Sequence, residues 1–429
     1  MTLEKSFISK IIPYVLIFTI AIIVYIFIYA YSGEFSPFMG NGYNSYSRQA
    51  QSWLNGQLDL GDNVPWLELA IYEERYYVSF PPFPSVFMLP FVLFYGINTP
   101  DNAIVLVISL LSLFYAYKLG CLLLKNKKYA MLLSLFLVLG TNYLHVSLWG
   151  AVWYIAQNMA FLLMLMAFYY SLTKNNRHSV IALFAMCAAM GCRPFNALYL
   201  PVVLYLVYIR ENKTFLASML KVYIYSIPAL VLGLFYMWLN YARFGSVFEF
   251  GHNYLPEFVN DPHGQFFAGR VLDNLHRIFF NFDLFDNPMF HGFAFWVASP
   301  IVVSYAVCLC IFIYVFIRRY VFGRAKELDR VFDSHIKTEQ KSNDALVIFA
   351  LLILALAHLV AFSFHRTLGG HQFGSRYTVD TLPAFYLGML FILKRLSPGN
   401  SIYLNVIPML FGFALNFYGT VTFLSYYYG

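Results

Sequence analysis

Among the six acids Glu34, Asp59, Asp62, Glu68, Glu73 and Glu74 of the first long loop, one has unusually apolar company. Glu68 is embedded in Trp66-Leu67-Glu68-Leu69-Ala70, with no second charged residue within four positions on either side. Apolar company penalises the ionised form, raises the pKa and suits the group to act as a general base. The plainer reading places it on the polar face of a short amphipathic helix. Glu34 is the second candidate base on the same stretch of chain, whereas Glu73-Glu74-Arg75 reads as the exposed corner of a turn.

A second cluster runs from Phe364 to Asp380, where Gly369, Gly370 and Gly374 alternate with His365, Arg366, His371, Arg376 and Tyr377. Glycines let the backbone approach a ligand closely, and the planar fork of arginine matches phosphate. Next to a bilayer, the anion to expect is a lipid phosphate. Arg193, in Met190-Gly191-Cys192-Arg193-Pro194-Phe195-Asn196, is a third cation near hydrocarbon, where charge is costly and is functional or paired. Arg366, Arg376, Arg193, His371 and Tyr377 are therefore the candidate phosphate-binding set. Two alternatives stand beside this: arginines snorkelling to headgroups, and a local Arg376–Asp380 pair at i, i+4. Asn44, Tyr46, Trp66, Tyr77, Trp149 and Asp380 are the expected lining of a substrate cavity. No metal-ligand spacing occurs; a divalent metal is possible but not indicated. The five cysteines, all in apolar stretches, read as small buried hydrophobes.

The elements that must hold these residues are membrane helices. Of 429 residues, 60% are hydrophobic and 11% charged, against about 25% charged in a soluble domain. This excludes an ordinary soluble enzyme. The net charge of +7 is spread in short clusters flanking apolar runs, which points to membrane orientation and not to nucleic acid. Spans are expected near residues 11–31, 103–124, 129–147, 151–172, 178–192, 195–210, 219–241, 292–317, 345–365, 380–395 and 402–427. The first is too long for a signal-peptide core and should remain as an anchor. Lys125, Lys127 and Lys128, Lys174 and Arg177, Arg210 and Lys213, and Lys394 and Arg395 then share the inner side with the loop from Arg318 to Lys341. The N-terminus is expected inside and the C-terminus outside. Counting Phe83 to Tyr95 as a span would invert every later loop, so it is expected as a juxtamembrane helix. A further amphipathic helix should begin near Ser45 and stop at Asn55-Gly56. The expected fold is thus one all-α polytopic membrane domain over residues 1–429, with about eleven transmembrane helices. The long first outer loop should form juxtamembrane helices, and outer loops 32–102, 241–291 and 364–379 should form the active-site face.

Three short patterns carry a resemblance: Tyr-Tyr-Val-Ser-Phe-Pro-Pro-Phe-Pro at 76–84, Asn-Tyr-x-Arg-Phe-Gly at 240–245 and Gln-Phe-Gly-x-Arg-Tyr at 372–377. With the apolar first span and long outer loop, they resemble bacterial membrane glycosyltransferases of the GT-C superfamily. The resemblance implies a plasma-membrane enzyme that moves a sugar from a polyprenyl-phosphate carrier to an envelope glycan, lipid or protein on the outer face, with an outer-loop acid as base. Many members of that superfamily carry an Asp shortly after the first span. Here Asn41 to Ala50 holds no carboxylate and Asn44 occupies the position, which leaves Glu68 or Glu34. The competing expectation is a transporter or flippase of a lipid-linked saccharide, which should show charges at mid-membrane and interrupted helices in paired halves.

Overall fold

Within lipid the backbone has no partner but itself, so apolar runs of this length become helices. The computed structural model describes residues 2–33, 35–211, 214–284, 292–320, 338–370, 372–396 and 403–428. Glu34, His371 and most of the loop from Arg318 to Lys341 lie outside the described residues.

Helices occupy all eleven of the apolar stretches. Seven are long and apolar enough to cross a membrane: Ile11–Tyr31, Asp101–Leu123, Val152–Leu172, Phe215–Phe244, Ile301–Arg318, Asn343–Ser363 and Asn405–Tyr428. The other four are shorter: Lys127–Leu139, Asn176–Met190, Leu200–Glu211 and Leu382–Leu393. Three of these stop being α-helical at the same end of the bundle. Lys127–Leu139 breaks before the separate turn Tyr143–Val146, and 3-10 segments, Pro194–Tyr199 and Arg376–Thr381, precede the other two. Irregular backbone at such depth is tolerated where it lines a cavity, and these breaks carry Trp149, Arg193 and Arg376 toward one.

The two ends of the bundle differ in chemistry. At one end Lys394 and Arg395 both reach Asp344 at 3.2 Å, and Arg210 donates to the carbonyls of Tyr170 and Thr173. Breaks, long loops and cavities collect at the other. Val152–Leu172 and Leu382–Leu393 form the interior, the latter buried at all of its positions. Phe215–Phe244 instead shows Leu216, Val231 and Leu234 outward, an apolar face suited to lipid.

The first long loop folds into two short helices, Ser45–Leu54 and Phe83–Tyr95, packed on each other. The second is a shorter apolar helix of 13 residues. Between them the chain makes an antiparallel hairpin, Leu69–Tyr72 with Arg75–Val78, in register Leu69↔Val78 to Tyr72↔Arg75. Glu73 and Glu74 form its two-residue turn with φ of 48° and 61°, the left-handed geometry that matches strand twist. This decides between the two settings of Glu68: it stands at the base of a hairpin, not on a helix.

Candidate active site

The hairpin base is tied down by two hydrogen bonds. Ser79 donates its hydroxyl to the Glu68 carbonyl at 3.1 Å. Arg243, buried at the end of Phe215–Phe244, donates to the Val78 carbonyl at 3.2 Å and to Asn240 Oδ1 at 3.0 Å. The Asn-Tyr-x-Arg-Phe-Gly motif therefore ends a helix, with Gly245 at φ 67°, and grips the hairpin in the same turn. So held, Glu68 turns its carboxylate to Trp153, which donates Nε1–H to Oε2 at 2.8 Å. Burial raises the Glu68 pKa above the ordinary glutamate value. The Trp153 hydrogen bond pulls it back, Glu257 pushes it up and the Arg376 charge lowers it.

Arg376 is held by its backbone, which leaves the guanidinium free. Its N–H donates to Gln372 Oε1 at 2.6 Å, and Gln157 donates Nε2–H to its carbonyl at 2.7 Å. Just before it, Asn142 clamps the turn: its Nδ2 donates to the Phe373 carbonyl at 2.9 Å and its Oδ1 accepts from Ser375 N–H at 2.8 Å. Gly374 sits inside that clamp at φ 79°, where an added Cβ would lie 2.2 Å from Asn142 Nδ2, so no other residue fits.

The Arg376 residue is only 4% exposed, yet it enters none of the ion pairs among the described residues, and its Nε has no hydrogen-bond partner. Tyr154 and Tyr377 rings flank it, each centroid 5.1 Å from the guanidinium carbon. Ring faces compensate a buried cation in part.

Glu68, Trp153, Trp149, Arg376 and Tyr377 line one cavity of about 590 Å³. A second of about 360 Å³, lined in part by Tyr46 and Asp380, shares Phe80, Trp153, Arg193, His252, His365 and Tyr377 with the first.

The remaining sequence candidates are placed as follows. Arg193 lines both cavities but is ion-paired to Asp380 at 2.9 Å, so the local Arg376–Asp380 pair is not made. Arg366 lines the larger cavity while pairing with Asp261 at 3.0 Å and Glu257 at 3.7 Å. Three expected lining residues lie elsewhere. Asn44 bridges the Ile97 carbonyl and Arg48, Trp66 is 56% exposed and donates to the Gly42 carbonyl, and Tyr77 packs on Phe244. The strand register explains the last: Tyr77 pairs with Ala70 and turns with it away from the cavities.

Several lining residues are not among the sequence candidates: Trp153, Tyr154, His252, Tyr427 and Tyr428. Aromatic residues at span ends look like interface anchors, which hid them. Gln157 and Asn158 carried a usable signal, since amides inside an apolar span are costly and mark a site.

Neither a protein-family model nor a curated protein matches this sequence. By structure the chain is similar to ArnT from Cupriavidus metallidurans in the apo state, at 15% identity and a TM-score of 0.48, covering 90% of this chain and 60% of that one. It is also similar to ArnT from the same organism bound to undecaprenyl phosphate, at 13% identity and a TM-score of 0.49, covering 96% of this chain and 76% of that one. The chain thus spans three fifths of the length of the apo ArnT chain.

Proposed function

We propose that this chain is a membrane glycosyltransferase that moves a sugar from a polyprenyl-phosphate carrier to an acceptor on the outer face. One observation carries the reading: a buried guanidinium that enters no ion pair among the described residues, Arg376, shares a cavity with a carboxylate whose pKa burial has raised, Glu68. The first suits a lipid phosphate and the second suits a general base.

In the proposed step an acceptor hydroxyl attacks the anomeric carbon, and the bond from that carbon to the phosphate oxygen breaks. Glu68 takes the hydroxyl proton. Arg376 neutralises the charge gathering on the departing phosphate. A single displacement of this kind inverts the anomeric centre. Arg193 and Arg366 serve the site at one remove, since carboxylates already hold them. His371 belongs to the same glycine-rich segment and remains part of the proposed phosphate set.

The proposal carries eleven spans, an inner N-terminus and an outer C-terminus in a bacterial plasma membrane. Envelope glycan, lipid or protein is the acceptor class. Mass spectrometry of envelope glycans from cells with and without this chain tests the reading. A missing sugar that purified protein restores from a polyprenyl-phosphate donor supports it; restoration that needs only transport of a finished lipid-linked saccharide overturns it.

A further inference from the structure

His252 and His365 face each other across the wall between the two cavities, with ring centroids 6.3 Å apart, but their nitrogens are engaged differently. His365 uses both. Its Nδ1 is taken up by Thr367, whose carbonyl oxygen lies at 2.7 Å and whose N–H lies at 3.1 Å, and its Nε2 lies 3.1 Å from Gln265 Nε2. His252 uses one: its Nδ1 lies 2.8 Å from the Ser79 carbonyl oxygen. A carbonyl oxygen can only accept, so Nδ1 carries the hydrogen. The neutral ring then keeps a bare lone pair on Nε2. No described residue donates to it. With Nδ1 committed to Ser79, the edge left to line the cavities is the one that bears Nε2.

The ring is also fixed. Phe80 meets it edge-on at 5.3 Å and Phe258 packs at 5.5 Å. Burial, seconded by the Arg193 charge, lowers the His252 pKa against the pull of the Ser79 carbonyl and the Glu249 carboxylate, which favours the neutral ring. Other polar groups common to both cavities cannot replace it as a pure acceptor. Arg193 only donates, the Trp153 N–H is spent on Glu68, His365 is saturated, and the Tyr377 hydroxyl can donate as readily as accept. The junction thus presents one acceptor that does not donate, and a hydroxyl is its natural complement.

We propose that His252 Nε2 accepts a hydrogen bond from a hydroxyl of the saccharide bound where the two cavities meet, as a positioning and specificity-determining contact. The identity of the ligand rests on the glycosyltransferase reading; the bare acceptor does not. Nitrogen-15 NMR of histidine-labelled protein in nanodiscs tests it, with His252→Gln identifying the resonance. The probes are methyl α-glucoside, galactoside and mannoside, followed by undecaprenyl-phosphate glucose.

The expected result is an unprotonated Nε2 in the free protein that shifts when at least one of these sugars is added, while His365 stays put. An Nε2 already protonated in the free protein overturns the proposal. So does a bare Nε2 that none of the probes moves. In the transfer assay His252→Phe, which keeps a ring but no acceptor, should raise KM about two- to tenfold with a smaller change in kcat, the loss of one neutral hydrogen bond. His252→Gln, whose Oε1 can stand near Nε2, should recover part; an unchanged KM in folded His252→Phe protein counts against the contact. Binding of undecaprenyl phosphate alone reads the other arm. If that lipid fails to bind while His252 responds to sugar, the transfer reading falls and the acceptor site stands.

Discussion

Asp380 closes on Arg193 at 2.9 Å across 187 residues of chain, while Arg376, four residues before it, pairs with no carboxylate among the described residues. Gln157 seals the choice by donating to the other oxygen of Asp380 at 3.0 Å and to the Arg376 carbonyl. One cation of the site is therefore neutralised by the protein and the other is held open.

Asp380→Asn should destabilise the fold by about 3 kcal/mol, because removing one partner of a buried pair strands the other. Thermal unfolding in detergent reads this, and adding Arg193→Gln should restore part of the loss. An unshifted midpoint for Asp380→Asn would mean the pair contributes nothing.

Arg376→Ala should weaken undecaprenyl phosphate binding roughly tenfold or more, the loss of a charge-assisted contact of about 1.5 to 3 kcal/mol. Arg376→Lys should recover only part, since a point charge does not reproduce the fork. Equal affinity in wild type and folded Arg376→Ala returns Arg376 to a packing role.

Glu68→Gln keeps shape but cannot take a proton, so turnover should fall by about 10² to 10⁴ with undecaprenyl phosphate binding nearly intact. Glu34→Gln should be far milder. The acidic limb of the rate profile should lie above the ordinary glutamate value, because burial raises the Glu68 pKa and the ionised form is the active one. Trp153→Phe removes the hydrogen bond that favours that form and should move the limb higher still. A limb that Glu68→Gln leaves unchanged assigns the base elsewhere.

His365 is pushed down to about 4, first by burial and then, against the Thr367 carbonyl, by neighbouring positive charge. Between its unfolded value of about 6.5 and that point, the unfolded chain binds a proton that the folded chain refuses. Stability is present above the upper value and drains away as pH falls through the lower, by about 3 kcal/mol for this group. Unfolding midpoints against pH should flatten in His365→Gln relative to wild type. Parallel curves would remove His365 from the account.

Cysteine placed at Ser246, exposed on the second outer loop, should react with a membrane-impermeant thiol reagent added to intact cells, and one at Lys174 should not. The reverse pattern inverts the proposed orientation.

The apolar helices and the short helices of the first long loop were legible in the residues alone, because lipid charges each residue locally for its polarity and a run of twenty needs no tertiary partner to become a helix. Glu68 and Arg376 could likewise be picked out, one by its apolar company and the other by its glycine-rich setting. Their surroundings could not. Whether Asp380 served Arg376 or Arg193 depended on a helix break far along the chain. The lining by Trp153, His252, Tyr427 and Tyr428, and the absence of Asn44, Trp66 and Tyr77 from it, depended on strand register and side-chain direction. Those are decided by contacts between segments distant in sequence, and a pattern of residue types holds no record of which distant segment its side chains will meet.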